Sequence, residues 1–199
     1  MAIERLRRRD LVHVSKSLLL LACTLVAPHA VIAYDRNVHK ELTRFLAQSA
    51  GLTVTAAVDI ANEDQRVDDD LSTGPYLNPN SRRLYHFVDS NRLAELRSAV
   101  FDSCALVDAG FYFHALEDSY SHAGLGWLLG QGFDRSYDQT YLNAESVEKA
   151  MRMAEKKFSE FEALKQRCHQ LEGSPARRWQ DIASLVLKFV SARKPPMLP

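Results

Sequence analysis

The chain has 199 residues, with 25 basic and 25 acidic side chains and a formal net charge of zero. This length is sufficient for one domain with a sizeable hydrophobic core. An even charge balance gives no whole-chain field of the kind that attracts nucleic acid, so general electrostatic binding to DNA or RNA is excluded as a leading hypothesis. The function must therefore be sought in local motifs.

The first 33 residues have the pattern of a secretory signal peptide. Basic residues precede an apolar run at 18–26, and small residues follow up to Ala33. The apolar run is short for a membrane span. We therefore predict that 1–33 is a signal peptide, that 34–199 is a single helical domain, and that the protein is secreted or periplasmic.

Two alternatives for this N-terminal segment stay open. Residues 20–23 loosely resemble a lipoprotein cleavage box ending at Cys23, and the segment could also remain as an uncleaved signal anchor. Cleavage after Ala33 would remove five basic and two acidic residues, so the remaining 166 residues would carry a formal charge of −3. This acidic balance argues mildly against a nuclease.

Apolar spacing predicts helices in the first half of the domain. The first covers 37–50 and stops at Gly51, and the second begins at Thr53 or Thr55 and runs to Asp68. The turn-forming residues of 68–81 predict a loop, and 82–89 is predicted to be extended. Ser90 is then expected to cap a third helix.

The second half continues the helical pattern. A central helix is predicted to start near Asp102, followed by a glycine-rich loop at 124–132. Asn143 or Ser146 opens a long amphipathic helix through Leu171, whose Glu/Lys-rich face we interpret as a solvated surface. A last helix covers 179–190. The sequence therefore predicts an all-α fold, a helical bundle, in which Cys104 and Cys168 either form a disulfide or remain two buried thiols.

The central helix carries His114, Asp118 and His122 at spacings of four residues. Positions i, i+4 and i+8 lie on one face of an α-helix. Two imidazoles and a carboxylate on one face suit a borderline cation such as Zn²⁺. The alternative is a set of core histidines that are satisfied by hydrogen bonds.

Four segments in this order resemble the zinc-dependent phospholipase C / P1 nuclease family. They are His39-x3-Thr43, the run from Ile60 to Asp68, Tyr85-His86-Phe87, and His114-x3-Asp118-x3-His122. Members of that family are secreted all-α phosphodiesterases with up to three zinc ions. The resemblance covers roughly residues 34–143 and implies a helical bundle of the same type.

The resemblance also implies a set of metal ligands. It makes His39 a ligand, and it assigns His86 and His114 to a first zinc together with an aspartate of the second helix. Asp68 is the first choice for that aspartate and Asp64 the second. Asp118 would bridge two metals and His122 would bind the remaining one. The family's downstream His-x3-Glu is missing here, and an aspartate could take its place, with Asp138 the first choice and Asp134 the second. We therefore expect one to three zinc ions.

The implied activity is hydrolysis of a phosphodiester or phosphate monoester by metal-activated water. Asp64 or Asp68 would be the general base, and Arg82, Arg83 or Arg135 could contact a phosphate. The expected substrate is a phosphodiester or a phospholipid headgroup, with nucleic acid the less favoured choice and contact with a membrane surface possible. Two alternatives remain, a non-catalytic metal-binding protein and a structural secreted helical protein. The sequence predicts no oligomeric state.

Overall fold

The structure is a computed structural model that describes residues 34–75, 79–122 and 139–199. These ranges contain seven helices, two of which include a π-helical segment. They are α1, with π-helical Val38–Leu42 continuing into Thr43–Ser49; α2, Val54–Asp69; α3, Pro79–Ser81 continuing into π-helical Arg82–His86; α4, Ser90–Ser103; α5, Leu106–Ser121; α6, Ala144–Arg167; and α7, Trp179–Val190. The described ranges contain no strand, only one isolated bridge between Leu52 and Glu172. The all-α prediction is confirmed.

The polar residues that begin α2 and α6 act as the sequence predicts. Oγ1 of Thr53 accepts a hydrogen bond from the backbone N–H of Ala56 at 3.1 Å. Oδ1 of Asn143 accepts one from the backbone N–H of Ser146 at 2.8 Å. Each side chain satisfies a donor in the first helical turn that has no partner within the helix.

The segment between α2 and α4 differs from the prediction. Residues 82–86 are π-helical rather than extended, and the chain leaves the helix at Phe87, whose N–H bonds to the carbonyl of Arg82 at 2.6 Å. The cap of α4 is Asp89 rather than Ser90, because its carboxylate accepts the N–H of Arg92 at 2.8 Å. The predicted extended segment and cap are therefore wrong.

Two further helix boundaries were predicted inaccurately, and both lie beside the cysteines. The central helix α5 begins at Leu106 rather than near Asp102, because Cys104 ends α4 in the left-handed conformation with φ of 54°. The long helix α6 ends at Arg167 rather than at Leu171, because Cys168 leaves the helical conformation and a 3₁₀ turn, His169–Leu171, follows.

Cys104 and Cys168 form a disulfide with a Cα–Cα distance of 5.7 Å. It joins the junction of α4 and α5 to the C-terminal end of α6, and it resolves the choice that the sequence left open. A disulfide fits an extracellular protein. Among the described residues, no helix is both long enough and apolar enough to cross a membrane.

The hydrophobic core is built mainly from α1, α2, α5, α6 and α7. Its fully buried members include Leu42, Phe45, Leu46, Ile60, Phe113, Met153, Phe161, Leu164, Ile182 and Val186. The rings of Phe113 and Phe161 stack with centroids 3.9 Å apart, which joins α5 to α6. This core fixes one face of α5, so that the polar residues of the helix are directed towards α1, α2 and α3.

Gly110 permits the close approach of α5 and α2. A Cβ atom at this position would lie 2.9 Å from the backbone nitrogen of Asp64, too close for a normal contact. His114 follows Gly110 by one helical turn, so the close approach also brings His114 to Asp64.

Candidate metal centre

Four helices bring together most of the ligands that the sequence predicts. The six side chains are His39 of α1, Asp64 and Asp68 of α2, His86 of α3, and His114 and Asp118 of α5. The side chain of Asp68 is 5% exposed and those of the other five are 0% exposed. Two of the histidines, His39 and His86, lie in the π-helical segments of α1 and α3, and such segments often occur at functional sites.

Asp68, His86 and His114 form one group of close donor atoms, and Asp118 lies beside its two histidines. Nδ1 of His86 lies 3.0 Å from both Nε2 of His114 and Oδ2 of Asp118. Nε2 of His114 lies 3.4 Å from Oδ2 of Asp118. Oδ1 of Asp68 lies 3.7 Å from Nε2 of His114 and 3.8 Å from Nδ1 of His86.

The separations among Asp68, His86 and His114 are compatible with three ligands of one metal ion, and Asp118 is close enough to both histidines to be considered with them. Zinc bonds to imidazole nitrogen or carboxylate oxygen of about 2.0–2.1 Å place neighbouring donor atoms about 3.3–3.4 Å apart. Five of the six distances among the four donor atoms are given above and range from 3.0 to 3.8 Å. We refer to these four residues as the four-donor set.

The second nitrogen of each histidine in the four-donor set faces an acceptor. Nε2 of His86 lies 3.0 Å from the carbonyl oxygen of Thr73, which can only accept, so a neutral ring that donates there would offer the lone pair of Nδ1 to a metal ion. Nδ1 of His114 lies 3.3 Å from Oδ1 of Asp64. A carbonyl or carboxylate behind a metal-ligating histidine orients the ring and raises its basicity.

A second group of close donors consists of His39, Asp64 and His114. Oδ1 of Asp64 lies 3.2 Å from Nδ1 of His39 and 3.3 Å from Nδ1 of His114. The two groups share His114. A neutral imidazole has one lone pair for a metal, so His114 can serve the four-donor set through Nε2 or this group through Nδ1.

Three buried polar residues of the site were missed by the sequence analysis. Thr43 was seen only as part of a motif, and Glu117 and Lys157 were not considered. Nζ of Lys157 donates to Oδ2 of Asp64 at 2.7 Å, to Oγ1 of Thr43 at 2.5 Å and to Oε1 of Glu117. Oε2 of Glu117 lies 2.5 Å from Nδ1 of His39.

A sequence signal for Lys157 did exist. It stands three residues after Ala154 and four before Phe161, in register with the buried stripe of α6. The Glu/Lys-rich composition of the helix hides this signal, because most of its lysines lie on a solvated face. The correct interpretation of a lysine within an apolar stripe is a buried ion pair.

The site carries a negative charge that its lysine does not balance. Asp64, Asp68, Glu117 and Asp118 contribute four negative charges when they are ionised, against one from Lys157. Buried charge is costly unless it is compensated. Protonated histidines or a bound cation must therefore supply the difference.

In the metal-free protein, protons on the histidines supply part of this compensation. Burial lowers the pKa of His114, but the charges of Asp118 and Asp68 outweigh it and raise that pKa to about 10. Burial also lowers the pKa of His39, but the Glu117 carboxylate outweighs it, so the pKa lies well above its usual value. Protons and a metal ion would compete for the same ring nitrogens.

The carboxylates respond to the same charges. Burial would raise the pKa of Asp118, but the neighbouring His114 holds it well below its usual value. For Asp64, burial is opposed by the ammonium of Lys157, and the pKa is again well below the ordinary value. Burial and the nearby charge of Asp64 raise the pKa of Glu117.

The remaining predicted residues are not part of the four-donor set. His122 is buried and stacks on Phe87 with ring centroids 4.4 Å apart. The two close donor groups within the described ranges include neither His122 nor Asp118, but Asp118, unlike His122, has measured contacts with both His86 and His114. Nε of Arg82 donates to the carbonyl of Pro75 at 2.7 Å, and Arg83 is exposed. The predictions for the signal peptide, the glycine-rich loop, Asp134, Arg135 and Asp138 lie outside the described residues.

Comparison with known proteins adds no family assignment. The chain matches no protein-family model, no curated protein and no solved structure. The findings thus support an all-helical domain with buried His/Asp groups that could hold a metal ion.

Proposed function

We propose that this protein is a zinc-binding phosphoric-ester hydrolase. The observation that carries the metal site is the close donor group of Asp68, His86 and His114, with Oδ2 of Asp118 3.0 Å from His86 and 3.4 Å from His114. The hydrolase activity rests on the order of these residues in the chain, which resembles that of the zinc-dependent phospholipase C / P1 nuclease family.

The chemistry of the site suits zinc. Both carboxylate oxygens of Asp68 and Oδ1 of Asp118 are buried without a hydrogen-bond partner among the described residues. Unsatisfied buried carboxylate oxygens are costly, and a cation relieves that cost. A donor set of two imidazoles and two carboxylates favours Zn²⁺ over the all-oxygen sites of Ca²⁺ or Mg²⁺.

A zinc ion would supply Lewis acidity and lower the pKa of water. The protein residues would bind the ion and accept the proton that the attacking water releases. Hydrolysis forms a bond between the water oxygen and phosphorus, breaks the ester P–O bond, and releases one proton from the water. Oδ2 of Asp68 fits the role of acceptor for that proton, because it faces Nε2 of His39 at 3.6 Å and lacks a hydrogen-bond partner.

Asp64 fits a supporting role better than that of general base. Its Oδ2 accepts hydrogen bonds from Lys157 at 2.7 Å and from Thr43 at 2.9 Å. Its Oδ1 faces Nδ1 of His114 at 3.3 Å. A carboxylate whose pKa is held low by an ammonium is a poor proton acceptor, but it can orient the ring of His114.

A second candidate function is supported by the burial of the site. The side chains of His86, His114 and Asp118 are all 0% exposed. A buried ion held by four protein ligands is typical of structural zinc, whereas catalytic zinc keeps an open position. The alternative is therefore a secreted helical protein that a non-catalytic metal ion stabilises.

Two measurements on the purified chain distinguish these candidates. The first is zinc content by elemental analysis, for the unmodified chain and for Asp68→Asn. The second is turnover of p-nitrophenyl phosphorylcholine and of bis(p-nitrophenyl) phosphate, with zinc and with a chelator. Asp69→Asn is the matched control, because Asp69 follows Asp68 on α2 and is exposed.

We expect zinc in the unmodified chain and in Asp69→Asn, and turnover that the chelator and Asp68→Asn abolish. Bound zinc with turnover no higher than in Asp68→Asn would favour the structural metal protein. If zinc is absent and does not bind when added, both candidates fail and the site is a hydrogen-bonded core.

A further inference from the structure

We infer that Lys157 is a positioning residue of the metal centre, whose ammonium group holds two carboxylates that in turn orient His114 and Asp68. This inference rests on the proposed metal site and names a residue that acts on it without contacting the ion. Lys157 lies on α6, whereas the four-donor set is supplied by α2, α3 and α5. Its effect on metal binding must therefore pass through other side chains.

The first path leads from Lys157 to His114 through Asp64. Nζ of Lys157 donates a hydrogen bond to Oδ2 of Asp64 at 2.7 Å. Oδ1 of the same carboxylate faces Nδ1 of His114 at 3.3 Å, and Nε2 of that ring faces Asp68 and His86. A carboxylate group is planar and rigid, so an ammonium that holds one oxygen also fixes the direction of the other. Lys157 thereby helps to direct the nitrogen that His114 offers to a metal.

The second path leads from Lys157 to Asp68 through Glu117 and His39. Nζ of Lys157 donates to Oε1 of Glu117, and Oε2 of that carboxylate lies 2.5 Å from Nδ1 of His39. Nε2 of His39 then faces Oδ2 of Asp68 at 3.6 Å. The two paths therefore end at two of the three members of the close donor group, one on α5 and one on α2.

Three acceptors fix the ammonium of Lys157 in place. They are Asp64, Glu117 and Oγ1 of Thr43, the last at 2.5 Å. An ammonium group has three N–H donors, so these contacts use all of them. The side chains of Lys157, Asp64 and Glu117 are all 0% exposed, so solvent does not reach the two carboxylates that the ammonium holds together.

Removal of the ammonium would have two opposite effects on zinc affinity. A like charge repels the ion, so its loss alone would tighten binding. This effect is reduced because Asp64 and Glu117 directly offset the charge of Lys157. The loss would also release two carboxylates that repel each other, and both would leave their positions behind His114 and His39. We expect the second effect to dominate, because both paths then fail together.

The test combines zinc affinity from calorimetric titration of the whole chain with the absorption spectrum of the Co²⁺-loaded protein, which responds to the arrangement of the ligands. Lys157→Met removes the charge and retains much of the side-chain volume. Lys156→Met is the matched control, because Lys156 precedes Lys157 on α6 but is 47% exposed and pairs with Glu160 at 2.7 Å. We expect Lys157→Met to bind zinc about 10–100-fold more weakly, with a changed cobalt spectrum. Lys156→Met should match the unmodified chain in both measurements.

A second comparison keeps the test decisive if Lys157→Met does not fold, since that variant leaves two buried carboxylates without their cation. The double variant Asp64→Asn/Lys157→Met removes one charge of each sign, and its reference is Asp64→Asn alone. Because the path through Glu117 is still broken, we expect the double variant to bind zinc more weakly than its reference. An effect of charge alone predicts tighter binding.

The outcomes separate this inference from the proposed function. Zinc affinity that is unchanged or higher in folded Lys157→Met, or an unchanged cobalt spectrum, would overturn the inference and leave the metal site intact. Tighter binding in the double variant than in Asp64→Asn would do the same. If neither Lys157 variant folds, the ammonium serves the fold rather than the ligands, and the inference is again overturned. Absence of zinc binding in the unmodified chain would overturn both.

Discussion

Nδ1 of His86 and Nε2 of His114 lie 3.0 Å apart, and the two ring planes are perpendicular. The other nitrogen of His86 faces the carbonyl of Thr73, so in a neutral ring that donates to this carbonyl the lone pair is on Nδ1. Without metal, a proton on His114 fills the space between the two nitrogens. A metal ion bound here would take both lone pairs. Binding at this pair would therefore require the loss of a proton.

Replacing either histidine of this pair should remove the metal. For His86→Ala and His114→Ala we expect zinc content to fall from about one equivalent to near zero, because three remaining donors hold the ion poorly. The stabilisation by zinc, about 4 kcal/mol at a thousandfold excess over the dissociation constant, should disappear. Elemental analysis and urea unfolding with and without zinc measure both effects.

His169→Ala is the control for this experiment. His169 is exposed in the 3₁₀ turn after α6, so its removal should change neither zinc content nor zinc-dependent stability. Full metal occupancy in His86→Ala and His114→Ala would contradict the four-donor set.

Substitutions of Asp68 and Asp64 on α2 should affect zinc binding differently. Asp68→Asn removes a proposed ligand and should abolish zinc binding. Asp64→Asn removes the carboxylate behind His114 and should weaken zinc affinity about 10–100-fold without abolishing binding. It also leaves Lys157 with one carboxylate fewer, which should cost about 3 kcal/mol of stability in the metal-free protein. Calorimetric titration with zinc and urea unfolding distinguish the two variants.

Asp69→Asn should behave like the unmodified chain in both measurements. If Asp64→Asn abolishes zinc binding and Asp68→Asn does not, the ion lies in the group formed by His39, Asp64 and His114, and the four-donor set is wrong.

Much of the candidate site was predictable because metal-ligand residue types stand out at helical spacing. The spacing of His114 and Asp118 placed both on one face of α5, and the structure brings Asp68 and His86 to that face. The sequence alone did not decide whether Asp64 or Asp68 is the ligand, because the two residues lie one turn apart on the same buried face of α2. Only the distances show that Asp68 belongs to the four-donor set and that Asp64 also contacts Lys157.

Other features depended on tertiary structure. The π-helical geometry of 82–86 has no periodic signal in so short a segment, so the segment was predicted to be extended. Lys157 is 114 residues from Thr43 and 40 from Glu117, and periodicity within one helix cannot reveal such partners. The disulfide likewise joins residues 64 positions apart.

Gly110→Ala should weaken the site without altering any ligand. The added Cβ would meet α2 at the backbone nitrogen of Asp64, so α5 must move away from α2. We expect a loss of about 1–3 kcal/mol of stability from overpacking, despite the better helix propensity of alanine. Zinc affinity should fall as well, because His114 and Asp68 lie on the two helices that separate.

Val107→Ala is the control substitution on α5, since Val107 is 42% exposed. It should leave zinc affinity unchanged, as measured by calorimetric titration. Unchanged zinc affinity in Gly110→Ala would show that the close approach of the two helices does not position the ligands.

The pH dependence of stability should reverse when metal is added. In the metal-free protein the pKa of His114 is raised to about 10, from an unfolded value near 6.5. A raised pKa means that the folded protein binds the proton more tightly, so this contribution is full below pH 6.5 and is lost as pH rises towards 10. His39 has the same sign. Each of these histidines contributes a slope of up to about 1.4 kcal/mol per pH unit.

With chelator, the free energy of unfolding should therefore fall between pH 6.5 and 9.5. With excess zinc, the ligand histidines must be deprotonated to bind, so affinity and stability should instead hold or rise as pH increases over the lower part of this range. His114→Gln, which removes one of the two titrating histidines, should reduce the slope of the chelator curve and make the curve insensitive to zinc. Thermal unfolding at a series of pH values measures the three cases: the chain with chelator, the chain with zinc, and His114→Gln. Parallel curves with and without zinc would mean that metal ions and protons do not compete at His114.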